Sequence, residues 1–196
     1  LTGQDIVVSS VFEVNCSPCV SSVGDSNGDG YEDLVVGADG HDTTGATNKG
    51  AAYLVLGASS LPNGSAPTLS VAQVYGSISS DFAGRAVGGG DFDGNGYGDM
   101  LVGASGFDSP LVGAASNTGA AVIIYGPATG SYSVSALSGS NYAAWLGSSS
   151  SGNLGAEVGG VGDLNADGFD DWFLGAPNYN PGVRVGQGYL FYGVGQ

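Results

Sequence analysis

Three nine-residue loops hold the side chains of this sequence that could do chemistry together. They read Asp25-Ser-Asn-Gly-Asp-Gly-Tyr-Glu-Asp33, Asp91-Phe-Asp-Gly-Asn-Gly-Tyr-Gly-Asp99 and Asp163-Leu-Asn-Ala-Asp-Gly-Phe-Asp-Asp171. Positions 1, 3, 5 and 9 of each loop are Asp or Asn, and position 6 is always Gly. In a tight loop, alternate side chains converge on one point, and position 7 can lend a backbone carbonyl. Such a set offers only oxygen donors, which suits a hard cation taking six to eight oxygens. The expected ligands are Asp25, Asn27, Asp29, the Tyr31 carbonyl and Asp33 in the first loop. In the second they are Asp91, Asp93, Asn95, the Tyr97 carbonyl and Asp99. In the third they are Asp163, Asn165, Asp167, the Phe169 carbonyl and Asp171. Half of the 18 acidic residues of the chain sit at these positions, where they would repel one another without a cation. The expected ion is Ca²⁺, about three per chain, since Mg²⁺ rarely uses an all-protein cage. An EF-hand is the rival reading. It fails because position 12 holds Val36, Val102 and Leu174, where an EF-hand needs a bidentate Glu. Turn formation alone also uses Asp, Asn and Gly, but three in-phase copies favour the metal.

The loops belong to a repeat, which must position them. Small residues precede each loop: Val20-Ser-Ser-Val-Gly24, Ala86-Val-Gly-Gly-Gly90 and Val158-Gly-Gly-Val-Gly162. An apolar run ending in Gly-Ala follows each: Leu34–Ala38, Met100–Ala104 and Trp172–Ala176. A second run closes on Gly in each unit: Gly50–Gly57, Gly119–Gly126 and Gly186–Gly193. Short runs of Val, Ile, Leu and Tyr between Gly, Asn, Asp and Ser are strands and turns. A fourth strand is expected near Leu69–Tyr75 in the first unit and near Tyr132–Leu137 in the second. Four antiparallel strands per repeat make a β-propeller blade, so the fold class is all-β. The expected division is an N-terminal strand (1–17) that completes another blade, blade 1 (18–76), blade 2 (84–138) and blade 3 (156–193). Blade 3 lacks an outer strand of its own.

On these residues the sequence resembles the FG-GAP repeats of integrin α-subunit propellers. Asp81-Phe-Ala-Gly84 matches the Phe-Gly half of the motif loosely, and Gly175-Ala-Pro177 keeps the Gly-Ala-Pro half. The resemblance implies calcium on the same loop residues and an extracellular, adhesive or structural role. It departs from the family in blade number, since integrin heads close seven blades and this chain has three repeats. Strand addition between copies would complete the array, giving a homo-oligomeric ring or a filament. The other readings are a carbohydrate-binding, lectin-like propeller and an excised part of a larger integrin-like propeller. The first residue, Leu1, fits a processed product or an excised segment.

The remaining candidates are fewer. Cys16 and Cys19, in Cys-Ser-Pro-Cys, fit a local disulfide of an oxidising compartment better than a zinc or redox site. Asn15 and Asn63 head sequons for N-glycosylation. Tyr142 and Trp145 lie in the long segment 139–152, where an aromatic could contact a glycan or a partner. His41, the single histidine, reads as a solvated loop residue, Trp172 as core, and Arg85 and Arg184 as local partners of Asp. There is no nucleophile elbow, phosphate loop or dinucleotide fingerprint, so a non-enzymatic protein is expected. Composition narrows the classes further. The net charge of −15, with three basic residues, disfavours nucleic acid and anionic membrane surfaces. No apolar run is long enough to span a bilayer. The 38 glycines have no collagen period, and 42% hydrophobic residues argue against disorder. A secreted or cell-surface location is expected.

Overall fold

Short β-branched and aromatic runs, each ended by Gly or an acidic turn, form strands in the computed structural model. It describes residues 6–7, 20–60, 64–110, 113, 116–136, 140–183 and 185–195. Strand β1 (Ile6–Val7) comes first. Then β2 (Val20–Gly24), β3 (Asp33–Ala38) and β4 (Ala51–Val55) run antiparallel in sequence order. A two-residue strand β5 (Gly64–Ser65) pairs in parallel with β1 and leads into a single helical turn, α1 (Ala66–Leu69). Strand β6 (Ser70–Tyr75) completes the first blade on the outer side of β4. The second blade is β7 (Ala83–Gly90), β8 (Asp99–Ala104), β9 (Ala120–Ile124) and, beyond a short strand β10 (Gly130–Ser133), β11 (Tyr142–Leu146). The third is β12 (Glu157–Gly162), β13 (Asp171–Ala176) and β14 (Gln187–Phe191), three strands among the described residues. The architecture is all-β and propeller-like.

The outer strand of the second blade is not where the sequence placed it. Residues 130–133 run parallel on β6 of the first blade, with Tyr132 opposite Val74. The outer strand is β11, paired from Tyr142 opposite Ile124 to Leu146 opposite Ala120. The second blade therefore extends past residue 138, and the segment 139–152 is in part a strand. Both runs have strand composition. The choice falls to β11 because Trp145 there packs on the third blade, with its ring 5.4 Å from Trp172 and 5.2 Å from Phe191. The gain from burying a large aromatic ring favours that pairing. Tyr132 instead covers the core between the first two blades.

The blades stack face on face. Val35, Leu54 and Val74 of the first meet Met100, Val102 and Ile124 of the second. Leu101 and Ile123, on the opposite face of the second, meet Val158, Trp172 and Leu174 of the third. Close approach of the backbones needs glycine. A Cβ on Gly37 would lie 2.1 Å from the Gly84 carbonyl oxygen, and one on Gly103 would lie 2.0 Å from that of Gly155. The Gly of the first two Gly-Ala pairs is thus a contact point with the following blade. The far face of the first blade, with Val36, Tyr53 and Val55, is closed by Ala66 and Leu69 of α1 and by Tyr75. No described helix is long and apolar enough to cross a membrane.

Candidate metal centre

Each acidic loop joins the first two strands of its blade, and the backbone shapes it for inward-facing oxygens. Positions 4 and 6 take positive φ: Gly28 and Gly30, Gly94 and Gly96, Ala166 and Gly168. With the chain so turned, side-chain oxygens collect backbone N–H groups. Asp25 Oδ1 accepts from Gly28 (2.7 Å) and Asp29 (3.1 Å), and its Oδ2 accepts from Gly30 (2.7 Å). Asp163 does the same with Asp167 (3.1 Å) and Gly168 (2.8 Å). At position 3, Asn27, Asp93 and Asn165 accept from the residue two further on. At position 5, Asp29, Asn95 and Asp167 accept from Tyr31, Tyr97 and Phe169. These N–H bonds hold Asp25 below the usual carboxylate pKa, the Gly30 N–H being the strongest of them.

Position 9 plays a different part. Asp33, Asp99 and Asp171 are fully buried. In each, one oxygen accepts from the N–H at position 2 and the other from the Gly that ends the third strand run. For Asp33 these are Ser26 (2.8 Å) and Gly57 (2.7 Å). For Asp99 they are Phe92 (2.8 Å) and Gly126 (2.8 Å), and for Asp171, Leu164 (2.9 Å) and Gly193 (3.0 Å). The sequence reading missed the role of Gly57, Gly126 and Gly193. Their recurrence at the end of each run was the signal available.

The second loop comes closest to a ready cation site. One carboxylate oxygen from each of Asp91, Asp93 and Asp99 lies within 4.8 Å of the others, and only this group does so among the described residues. Asp91 Oδ2 accepts from the Gly96 N–H (2.9 Å), but its Oδ1 is buried without a hydrogen-bond partner. A buried, unpaired carboxylate oxygen carries a large desolvation penalty. Burial pushes the Asp99 carboxyl up to about 7; the Gly126 and Phe92 N–H groups oppose this, and Asp93 and Asp91 add to it. Burial likewise raises Asp93, with Asp91 contributing. An oxygen-only set with an orphaned buried oxygen fits a calcium ion.

The loops are also latched to one another. Gly98, at position 8 of the second, donates to the Asp25 carbonyl (3.0 Å) at position 1 of the first. Asp170, at position 8 of the third, donates to the Asp91 carbonyl (3.0 Å), and its carboxylate accepts from the Asp91 N–H (2.9 Å). The aromatic ring at position 7 of each later loop covers position 4 of the one before. A Cβ on Gly28 would lie 2.9 Å from the Tyr97 ring, and one on Gly94 would lie 2.3 Å from Phe169. At the same position of the third loop Ala166 is exposed, and it takes φ of 61°. Two opposite outcomes are expected at this one loop position. Gly94→Ala should destabilise by roughly 2–3 kcal/mol, from ring displacement plus left-handed strain. Ala166→Gly should stabilise by about 0.5–1 kcal/mol. Denaturant melts of both variants check the pair.

The other candidates are dispersed. Trp145 and Tyr142 lie on β11, and Trp145 lines a cavity of about 140 Å³ with Tyr179, Tyr189, Phe191, Ser148 and Ser149. His41 lies near Tyr53 (Nδ1 to Oη 3.3 Å), and burial lowers its pKa. Arg85 reaches Asp39 at 3.9 Å and lies over the Phe82 ring. Asn15, Cys16, Cys19, Asn63 and Arg184 lie outside the described residues.

Comparison with known families agrees with the geometry. The FG-GAP repeat family matches residues 20–55 and 83–124, the first three strands of the first and second blades with their acidic loops. The third blade lies outside the matched segments. No curated protein matches the chain.

Proposed function

This chain carries FG-GAP repeats, and on that premise we propose that it is a non-enzymatic, calcium-stabilised structural or adhesion module of a secreted or cell-surface protein. The observation that carries the reading is the unpaired, buried Asp91 Oδ1 within the Asp91, Asp93 and Asp99 cluster. A cation there satisfies that oxygen and removes the repulsion among the three carboxylates. The equivalent residues of the first and third loops hold the same elements in the same way, so about three ions are proposed. The role of the ion is mechanical. It fixes loops that latch blade to blade through Gly98 and Asp170. Isothermal titration with calcium tests this directly. Expected are about three sites, with Asp93→Ala removing one; a chain that binds no calcium would overturn the reading.

Self-association is part of the proposal. Within the chain, Ile6–Val7 pairs in parallel with Gly64–Ser65. The proposed route is addition of the N-terminal segment to the third blade of a neighbouring copy, a blade that has three strands among the described residues. A second reading, carbohydrate binding, is favoured by the aromatic and hydroxyl lining of the Trp145 cavity. A glycan array without hits would remove it.

A further inference from the structure

The two junctions between blades match position by position, at the strand ends away from the acidic loops. A Cβ on Gly84 would lie 2.1 Å from the Ala51 carbonyl oxygen, and one on Gly155 would lie 2.1 Å from that of Ala120. Gly37 meets Gly84 as Gly103 meets Gly155. Arg85 in one junction therefore corresponds to Ala156 in the next, and Asp39 corresponds to Ser105. Between the first two blades Arg85 reaches back toward Asp39, and its guanidinium lies 5.4 Å from the centre of the Phe82 ring. Between the second and third blades, the short Ser105 and Ala156 leave a groove of about 270 Å³. Arg85, Asn117, Asn153 and Asn178 line it as well. Asn153 is fixed there, donating to the Ser105 carbonyl (2.9 Å) and accepting from the Asn178 amide (2.9 Å). The Asn178 Oδ1 and the Asn117 side-chain amide have no hydrogen-bond partner among the described residues. Nor has the Arg85 guanidinium, since Asp39 at 3.9 Å is beyond hydrogen-bonding distance. Its side chain is 38% exposed.

We propose that this groove binds an acidic sugar, with its carboxylate on Arg85 and its ring hydroxyls on Asn117 and Asn178. The inference goes beyond the calcium reading and does not depend on it, and the site is separate from the Trp145 cavity. The chemistry follows from the unused groups. A guanidinium lying over an aromatic ring keeps its N–H edge for a planar anion, and a carboxylate fits that fork in two parallel bonds. Side-chain amides both donate and accept, as sugar hydroxyls do. A carboxylate beside several hydroxyls is the ligand that uses both sets at once. Arg85 is one of only three basic residues, and the net charge of −15 repels anions at long range. At physiological salt that repulsion is screened beyond about 8 Å, so the direct contact with Arg85 decides binding.

Isothermal titration of the full chain, in calcium at physiological salt, tests the proposal. The probes are glucuronate and galacturonate, with glucose, galactose and acetate as controls. At least one uronate should bind with a Kd of about 1 mM, roughly tenfold or more tighter than its neutral counterpart and than acetate. Arg85→Gln should weaken that binding by about tenfold or more. Arg85→Lys keeps the charge and the apolar stem, so a loss of about threefold or more there reports the lost fork and not a folding defect. Asn178→Ser should cost about fivefold for the uronate and nothing for acetate. Asp93→Ala, at the acidic loops, should change nothing. Silence with both uronates would overturn the proposal, as would acetate binding equally well. Binding that survives Arg85→Gln belongs to the loops or to the Trp145 cavity and overturns it too. A glutamate-containing peptide that binds through Arg85 more tightly than either uronate would give the groove to a protein partner instead.

Discussion

Excess EGTA should lower the melting temperature of this protein by about 8–16 °C relative to a calcium-saturated sample. At a free calcium concentration about ten times Kd, each occupied loop adds roughly 1.4 kcal/mol, so three add about 4 kcal/mol. For a chain of this size, each kcal/mol moves Tm by about 2–4 °C. The effect has a predicted pH dependence. Burial raises the Asp99 carboxyl to about 7 in the folded protein, against about 3.9 unfolded. A raised carboxyl favours the folded state at low pH, and that contribution is lost as pH climbs from about 4 through 7. For one group this is about 4 kcal/mol at most. The ion-free protein therefore weakens toward pH 8, and the calcium-dependent difference in Tm should be larger at pH 8 than at pH 5. Melting curves that coincide with and without EGTA at both pH values would refute the metal role of all three loops.

The second large effect is expected at Asp99 itself. Asp99→Ala removes both acceptors that hold the Phe92 and Gly126 N–H groups. Two buried donors left unsatisfied cost about 1–3 kcal/mol each, so a loss of roughly 3–5 kcal/mol is expected. Much of the loss should persist in EGTA, because those hydrogen bonds do not need the ion. Asp93→Ala provides the contrast. Its Oδ1 accepts from the Asn95 N–H at 3.2 Å within an exposed turn, so its effect should appear mainly in calcium. Denaturant titration of both variants, with and without calcium, separates the carboxylate that braces the blade from one that serves the ion. Equal losses for both variants in EGTA would contradict that division.

Much of the fold was legible because it rests on short-range rules. Alternating Asp and Asn with Gly at position 6 specify a turn that folds its oxygens inward, whatever surrounds it. Apolar runs such as Met100–Ala104 and Ala120–Ile124 specify strands, and repetition specified that blades stack. The same local signal placed the outer strand of the second blade wrongly. Gly130–Ser133 and Tyr142–Leu146 are both strand-like, and only the long-range fit of Trp145 against Trp172 and Phe191 decides which one borders β9.

The division of labour within the loops shows the same limit. Sequence alone makes Asp25, Asn27, Asp29 and Asp33 look alike, as four converging donors. Tertiary structure sets Asp33 apart, because Gly57, 24 residues away, brings its N–H to the buried carboxylate. Glycine at positions 28 and 94 likewise reads as turn chemistry, yet its second cause is a ring from the next blade, Tyr97 or Phe169. Local sequence preferences suffice for most of the strands, for the three acidic loops and for their repeat. Long-range packing settles which carboxylates brace the blades and which strand closes the second one. The physical reason is that turn and strand preferences act within a few residues of chain, whereas desolvation and backbone contact depend on what distant segments bring to the same place.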